Sequence, residues 1–460
     1  MSLIKSISGI RGTIGGRQGE ALTPPDIVKF TMAFAHQRML RTGKQGITVV
    51  TGRDARVSGE MVNRLVTGTL MAMGADVIDC GLSTTPTVEM AVMEFRAEGG
   101  IILTASHNPA QWNALKLLDE KGEFLSGDDG KEILEIANRG EVEFAPHDKL
   151  GKITVVDDMI DRHIRKILSH HLINTDLIKK AGLKIVIDCV SSTGGIALPP
   201  LLKELGVKEI VELHCDPDGR FPHNPEPLPE NIRELCDTVK GTGADLGFVV
   251  DPDVDRLAIV TERGEVFGEE YTLVAVADYV LSKRKGAAVS NLSSSRALGD
   301  VCKKHRVDYF ASAVGEVNVV KMMKAKNAVI GGEGNGGVIL PDLHYGRDAL
   351  AGIALFLSFL AESGISCSEL RKRYPDYHMV KDRLPLTEQT DIDHLLKTVA
   401  KLYKDNKVTT VDGVKIDFEE GWVHLRKSNT EPIIRIYSEA VSHEKALELV
   451  NGIKSEISKA

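Results

Sequence analysis

The sequence predicts a four-domain α/β protein: three α/β units in series, followed by a smaller α+β unit. Length comes first, since 460 residues at about 150 per domain is too long for one ordinary core and points to about three domains or more. Second, three short β-branched runs each end in a polar, Gly- or Ser-rich loop that leads into a helical pattern. Third, the last part of the chain abandons that pattern for short alternating strands and one terminal helix.

The first run, Ile47-Thr-Val-Val-Thr-Gly-Arg-Asp54, precedes the helical pattern Glu60–Met73. The second, Lys184-Ile-Val-Ile-Asp188, enters Cys189-Val-Ser-Ser-Thr-Gly-Gly195 and then Ile196–Leu205. The third, Ala287-Ala-Val-Ser-Asn-Leu292, enters Ser293-Ser-Ser-Arg296 and then Ala297–His305. In such units the loops at the carboxyl ends of the strands carry function. A polar stretch, Glu141–Lys152, separates the first unit from a helical segment over Val156–His171, and an acidic cluster ends at Arg256 before the strand-like Leu257-Ala-Ile-Val-Thr261. Pro375 and Pro385 flank charged residues where the pattern changes again, ahead of strands over Lys407–Asp417, Gly421–Leu425 and Ile433–Ser438 and a helix over Ser442–Lys459. The expected domains are therefore 1–153, 154–256, 257–370 and 371–460.

Composition narrows the function. Hydrophobic residues are 42% and charged residues 27%, an ordinary globular balance that argues against disorder. The net charge of −8 disfavours a general nucleic-acid binder. Gly352–Ala361, the best apolar run, is half the ~20 residues of a membrane span and predicts a core helix. The N-terminus has no continuous apolar stretch before its first charges, so the expectation is a soluble, cytoplasmic protein without signal peptide or membrane partner. Six scattered cysteines with no C-x-x-C pair predict buried reduced thiols.

Four loops carry candidate chemistry. Ile101-Ile-Leu-Thr-Ala-Ser-His-Asn-Pro109 runs from a strand into a polar turn, with Pro109 holding Asn108 extended. Ser106 beside His107 is either an activated hydroxyl nucleophile or part of a turn making local side-chain bonds. Asp251-Pro-Asp-Val-Asp-Arg256 follows Leu246–Val250, and alternating carboxylates directly after a continuous apolar strand favour a hard-cation site over an acidic surface turn. Arg256 beside such an ion could hold a phosphate oxygen. Gly331-Gly-Glu-Gly-Asn-Gly-Gly337 leaves Glu333 and Asn335 free of neighbouring bulk, although a flexible connection would look alike. Arg426-Lys-Ser-Asn-Thr-Glu-Pro-Ile-Ile-Arg435 is a phosphate cradle or a solvated basic turn. Taken together, a hydroxyl, a divalent cation, a hydroxyl-reading loop and a remote anion cradle suit phosphoryl transfer on a polyol phosphate, in a cleft where four domains meet.

The order and content of these loops resemble the α-D-phosphohexomutase family, which includes phosphoglucomutase, phosphomannomutase and phosphoglucosamine mutase. The resemblance covers essentially the whole chain, from Ser8-Gly-Ile-Arg-Gly12 and Gly52-Arg-Asp54 through Thr104–Pro109, Asp251–Arg256 and Gly332–Gly336 to Arg426–Pro432. It implies four domains around a central cleft, the first three α/β with mixed sheets and the fourth a smaller α+β domain. It implies that Ser106 is a phosphoserine, that Ser106, Asp251, Asp253 and Asp255 bind Mg²⁺, and that Arg11, His107 and Arg256 surround the transferring group. Asn113-Ala-Leu-Lys116 is similar to the family's Asn-Gly-x-Lys element, with Ala114 for Gly, making Lys116 the acid/base. Glu333 and Asn335 would bind sugar hydroxyls, Asn335 standing where many members carry Ser and Gly337 where several bacterial branches carry His. Arg426, Ser428, Asn429, Thr430 and Arg435 would grip the non-reacting phosphate. The implied activity is a phosphohexose mutase working through a 1,6-bisphosphate that also serves as activator, in a monomer or homodimer. Glucosamine 6-phosphate is the first substrate expectation, with mannose or glucose phosphates as the alternative. A Ser/metal phosphohydrolase and a non-catalytic sugar-phosphate sensor are the rival classes; the intact Ser106, Lys116 and three Asp argue against the sensor, and a single acidic triplet argues against the hydrolase.

Overall fold

The computed structural model describes residues 2–6, 9–385, 391–427 and 433–459. Four sheets carry the architecture. The first runs in the order Ile4–Ser6, Gly9–Thr13, Trp112–Leu118, Gly99–Leu103, Thr48–Arg53, Asp76–Leu82, Ile153–Val155. Its centre is parallel and its N-terminal edge antiparallel. The second (Leu257–Thr261, Leu246–Val250, Lys184–Asp188, Glu209–Leu213) and the third (Tyr309–Ser312, Ala288–Asn291, Ile330–Glu333, Gly337–Ile339) are parallel with one antiparallel edge strand each. The fourth is wholly antiparallel, in the order His378–Pro385, Ile433–Ala440, Gly421–Lys427, Val414–Asp417, Lys407–Thr409. Three mixed α/β units and a smaller α+β unit are thus what the chain builds.

The domain boundary expected after Arg256 needs correction. Leu257–Thr261 pairs antiparallel with Leu246–Val250 over five register pairs, so the acidic loop is the turn of a hairpin and the second sheet ends with its second strand. The expected cut at 153 likewise falls inside Ile153–Val155, which completes the first sheet beside Asp76–Leu82. Lys407–Asp417 is two strands joined by a turn rather than one. The run Gly331–Gly337 is itself a hairpin, with Glu333 ending one strand and Gly337 starting the next. All six cysteines are free thiols, and no helix among the described residues is long and apolar enough to cross a membrane.

The apolar run expected to form a core helix lies in Ala349–Ser363, apolar nearly all round and buried over its first ten residues between the second and third units. Phe356 meets Phe248 and Phe267 edge-on at ring-centroid distances of 6.2 and 5.4 Å, so the two units share one continuous core. The fourth domain has its own small core and docks on the third through polar contacts. Lys415 Nζ donates to the Leu292 carbonyl (2.8 Å), Arg296 N–H to Glu439 (2.9 Å) and Val314 N–H to Asp412 (2.9 Å).

Where the first three domains meet lies a buried polar chain. Asp348 caps Ala349–Ser363 through the Ala351 N–H (3.0 Å), and its second oxygen accepts from His163 (2.9 Å) and His344 (3.2 Å). His163 faces Thr87 at 3.0 Å and His344 faces Glu89 at 3.1 Å, both on the helix Thr85–Phe95 of the first domain. Burial opposes a charge on His344, but Asp348 and Glu89 outweigh it and push its pKa up to about 10. A raised folded-state pKa stabilises fully below the unfolded value and is lost as pH rises through the folded one. The melting-temperature deficit of His344→Gln relative to wild type is therefore expected to be greatest at or below about pH 6.5 and to close as pH approaches 10, as read by thermal melts across that range.

Candidate active site

Ser106 sits past the end of Gly99–Leu103 with a left-handed backbone, φ 50°, which points its hydroxyl out of the sheet's end. Such a conformation costs a non-glycine residue free energy, and the loop is held against it. Thr104 Oγ1 accepts the Ser106 N–H (3.0 Å) and donates to Asp54 (2.6 Å). The fully buried Arg56 pairs with Asp54 (2.9 Å) and donates to the carbonyls of Ser106 (2.5 Å), Asn108 (2.6 Å), Pro109 (2.7 Å) and Trp112 (3.0 Å). One guanidinium thus pins the whole turn.

The Ser106 hydroxyl donates to Asp251 Oδ2 (2.7 Å) across the domain boundary and lies 3.4 Å from His107 Nδ1. Asp251, Asp253 and Asp255 are fully buried, and one oxygen of each lies within 4.8 Å of the others. The hairpin turn makes this possible, because Asp251 Oδ1 accepts the N–H groups of Asp255 and Arg256 (3.1 Å each) and folds the loop back on itself. Asp253 Oδ2 accepts from Thr85 and Lys116, both at 2.6 Å. Asp255 Oδ2 accepts from Arg347 (2.7 Å). Asp253 Oδ1 and Asp255 Oδ1 remain buried without a hydrogen-bond partner. Two orphaned carboxylate oxygens beside Asp251 and a serine hydroxyl form an all-oxygen donor set that fits a hard divalent cation. Burial, and after it the charges of Asp255 and Asp253, push the Asp251 pKa well up, an effect a cation would reverse.

Lys116 and Arg11 share one face of adjacent strands, since Arg11 is paired with Ala114, two residues before Lys116. Burial works against the charge on Lys116, but Asp253 and then Asp255 hold it protonated. His107 is the reverse case: burial, then Arg256, push its pKa down to about 2, which leaves the imidazole neutral near pH 7. Arg256 lies 3.4 Å from Glu226, and His107 lies 3.9 Å from the same carboxylate. Glu333 is buried; Oε1 accepts from Asn291 (2.8 Å) and Gly315 N–H (3.0 Å), and Oε2 from Arg347 (3.0 Å). Asn335 accepts the Gly337 N–H at 3.3 Å.

At the other side of the cleft, burial and the nearby charge of Arg435 depress the pKa of Arg11, whose buried Nε has no hydrogen-bond partner. Two like charges close enough to act on each other leave room for an anion as their counter-charge. Arg426 and Arg383 stand opposite Arg435 on the two neighbouring strands, and Arg426 Nε lies 3.1 Å from Asp412. Ser428, Asn429 and Thr430 of the expected cradle, and Ser8 of the first motif, lie outside the described residues.

Ser106, His107, Lys116, the three aspartates and Arg256 are thus brought together, and Arg347 links Glu333 to them. Sequence reasoning missed Arg56, Glu226, Thr85 and Arg347. The Asp54-x-Arg56 spacing was the only local signal for the first of these.

A serine hydroxyl, an oxygen-only cation pocket and a facing pair of arginines define a phosphoryl-transfer enzyme built on four domains. The chain belongs to the phosphoglucomutase/phosphomannomutase family: the models of its α/β/α domains I, II and III match residues 3–143, 161–264 and 268–377, and that of its C-terminal domain matches 383–455. It is 38% identical to a phosphoglucomutase/phosphomannomutase of Thermococcus kodakarensis over 96% of this chain and 97% of the relative. It is 31% identical to a phosphoglucosamine/phosphogalactosamine mutase of Sulfurisphaera tokodaii over 99% of each. Among solved structures, a phosphoglucomutase/phosphomannomutase family protein of Burkholderia thailandensis superposes with a TM-score of 0.86 at 27% identity, covering 99% of this chain and 98% of that one. The chain is a hexose-phosphate mutase.

The Arg56 contacts generate a test. Lys at this position keeps the charge but cannot reach the carbonyls of Ser106, Asn108, Pro109 and Trp112 together. Each charge-assisted bond is worth roughly 1.5–3 kcal/mol, so Arg56→Lys should lower kcat/KM at least about tenfold. Hydrogen exchange over residues 105–112 should rise at the same time.

Proposed function

We propose that Ser106 is the phosphoryl carrier of this mutase and that hexosamine 6-phosphate, glucosamine 6-phosphate first, is its preferred substrate. The observation that carries the reading is the Ser106 hydroxyl resting on Asp251 beside two orphaned carboxylate oxygens. A divalent cation held by Ser106, Asp251, Asp253 and Asp255, Mg²⁺ in this reading, supplies charge to the transferring phosphoryl oxygens.

In the forward direction the bond between phosphorus and Ser106 Oγ breaks as a bond from phosphorus to a free sugar hydroxyl forms. Lys116, charged between Asp253 and Asp255, gives its proton to Ser106 Oγ and takes the one the sugar hydroxyl releases. Arg256 and Arg11 hold phosphoryl oxygens, and the neutral His107 hydrogen-bonds the group without adding charge. The sugar 1,6-bisphosphate then turns over, and its other phosphate returns to Ser106. The same bisphosphate, added from solution, would return one phosphoryl group to a Ser106 that has lost its own to water, leaving as the monophosphate. Arg426 and Arg435, with Ser428, Asn429 and Thr430, would grip the distal phosphate in either orientation. The polar contact between the third and fourth domains suits closure of that grip as a lid, with its hinge near Arg371–Arg383.

The substrate preference rests on Glu333. A carboxylate is an acceptor only, and an ammonium donates to it with a charge assistance that a neutral hydroxyl lacks. The names of the relatives favour an amino sugar in one case and glucose or mannose in the other. A coupled assay on the 6-phosphates of glucosamine, glucose and mannose tests this reading. The expected result is the highest kcat/KM for glucosamine 6-phosphate, and a clear preference for either neutral sugar removes the claim.

Two outcomes follow for the mechanism. Ser106→Ala should fold as wild type but lose turnover, and intact mass should show wild type alone carrying one phosphate. Arg435→Ala should lower kcat/KM about ten- to hundredfold through loss of a charge-assisted contact. Its dependence on added bisphosphate should rise while release of inorganic phosphate persists, measured side by side with isomerisation.

A further inference from the structure

Arg347 enters neither the sequence motifs nor the proposed reaction, yet it pairs with more carboxylates than Arg56, Lys116 or Arg256 does. Its guanidinium reaches Asp255 (2.7 Å), Glu333 (3.0 Å) and Glu316 (3.1 Å), and its backbone N–H donates to the second Glu316 oxygen (2.9 Å). The three carboxylates come from three elements: the acidic hairpin of the second sheet, the sugar-reading strand of the third, and the first turn of Glu316–Lys326. All four side chains are buried.

Gly337 explains how Arg347 gets there. Its backbone φ is one that any residue can adopt, so conformation does not demand glycine. Space does: a Cβ at this position would lie 2.3 Å from Arg347 Cδ and 3.0 Å from Cγ. The stem of Arg347 passes through the volume a side chain at 337 would fill. An arginine pinned at three carboxylates cannot move aside at small cost.

We propose that Arg347, seated through the gap left by Gly337, is a positioning residue that locks the sugar-reading carboxylate Glu333 to the cation-binding carboxylate Asp255. The inference rests on the mutase reading for the role of Glu333, but its link to Asp255 is independent of which sugar is used. Arg347 occupies Glu333 Oε2 while Asn291 and Gly315 occupy Oε1, so the carboxylate cannot rotate. It also sets a positive charge on Asp255, in direct competition with a bound cation.

The test uses the full chain in four variants: Arg347→Met, Arg347→Lys, Gly337→Ala and the double Gly337→Ala/Arg347→Lys. Calorimetric titration with Mg²⁺, without substrate, reads the link to Asp255. Arg347→Met should bind Mg²⁺ roughly three- to tenfold more tightly, because a competing charge is gone, and Arg347→Lys within about twofold of wild type. Steady-state kinetics read the link to Glu333. Arg347→Lys and Gly337→Ala should each lower the melting temperature and, assayed where both remain folded, lower kcat/KM roughly ten- to hundredfold, and the double variant should be no worse than the poorer single, because both act through one side chain. An unchanged Mg²⁺ isotherm in Arg347→Met, wild-type kinetics in Arg347→Lys, or multiplicative losses in the double variant would each overturn the proposal. If wild type turns over none of the hexose phosphates, the mutase reading fails on its own and the Mg²⁺ isotherms alone decide the link. Should Arg347→Met not fold, the charge-conserving pair and its double variant still decide the question.

Discussion

Three carboxylates buried side by side are the constraint around which the cleft is arranged. Asp251, Asp253 and Asp255 cannot share a dry site unless charge and hydrogen bonds come to them from outside their own loop. The first domain supplies the Ser106 hydroxyl, the Thr85 hydroxyl and the Lys116 ammonium. The third supplies the Arg347 guanidinium. The contacts that make the triad tolerable are therefore the contacts that hold three domains in register, so site and scaffold are the same set of bonds.

This coupling explains the contrast between the interfaces. The second and third sheets share an apolar core around Ala349–Ser363, and that helix begins at the residues that reach the triad and the buried histidines. Packing there is dense and leaves little freedom. The fourth domain is joined to the third by single polar contacts, such as that of Lys415 with the Leu292 carbonyl. The fourth domain is therefore the one whose position is least tied to the triad.

The parts of the site that sequence made legible are those whose chemistry lies within one loop. Ser106 with His107 and the alternating aspartates stand next to continuous apolar strands, and the strand periodicity told where those loops would fall. What escaped was chemistry assembled across the chain. Arg56 looks like any surface arginine until the carbonyls of residues 106–112 close on it, some 50 residues away. His163 and Asp348 are separated by 185 residues. The acidic motif was misread as the end of a domain because a hairpin turn and a domain boundary have the same local appearance: a strand, a polar loop, then another strand. Only the antiparallel register of Leu257–Thr261 separates them. Gly337 did carry a signal, but a missing side chain says nothing about which neighbour fills the space.

The order of the partners along the chain has a consequence for biosynthesis. Arg347 follows Asp255 by 92 residues, and at about 5–20 residues per second the ribosome needs roughly 5–18 s to reach it. For that interval the acidic hairpin is complete but lacks its guanidinium counterion. Lys116, made earlier, can meet Asp253 at once. Until then the remaining charge must be screened by protons or by dissolved cations, so the order of synthesis leaves the triad without one of its counterions until the third domain arrives.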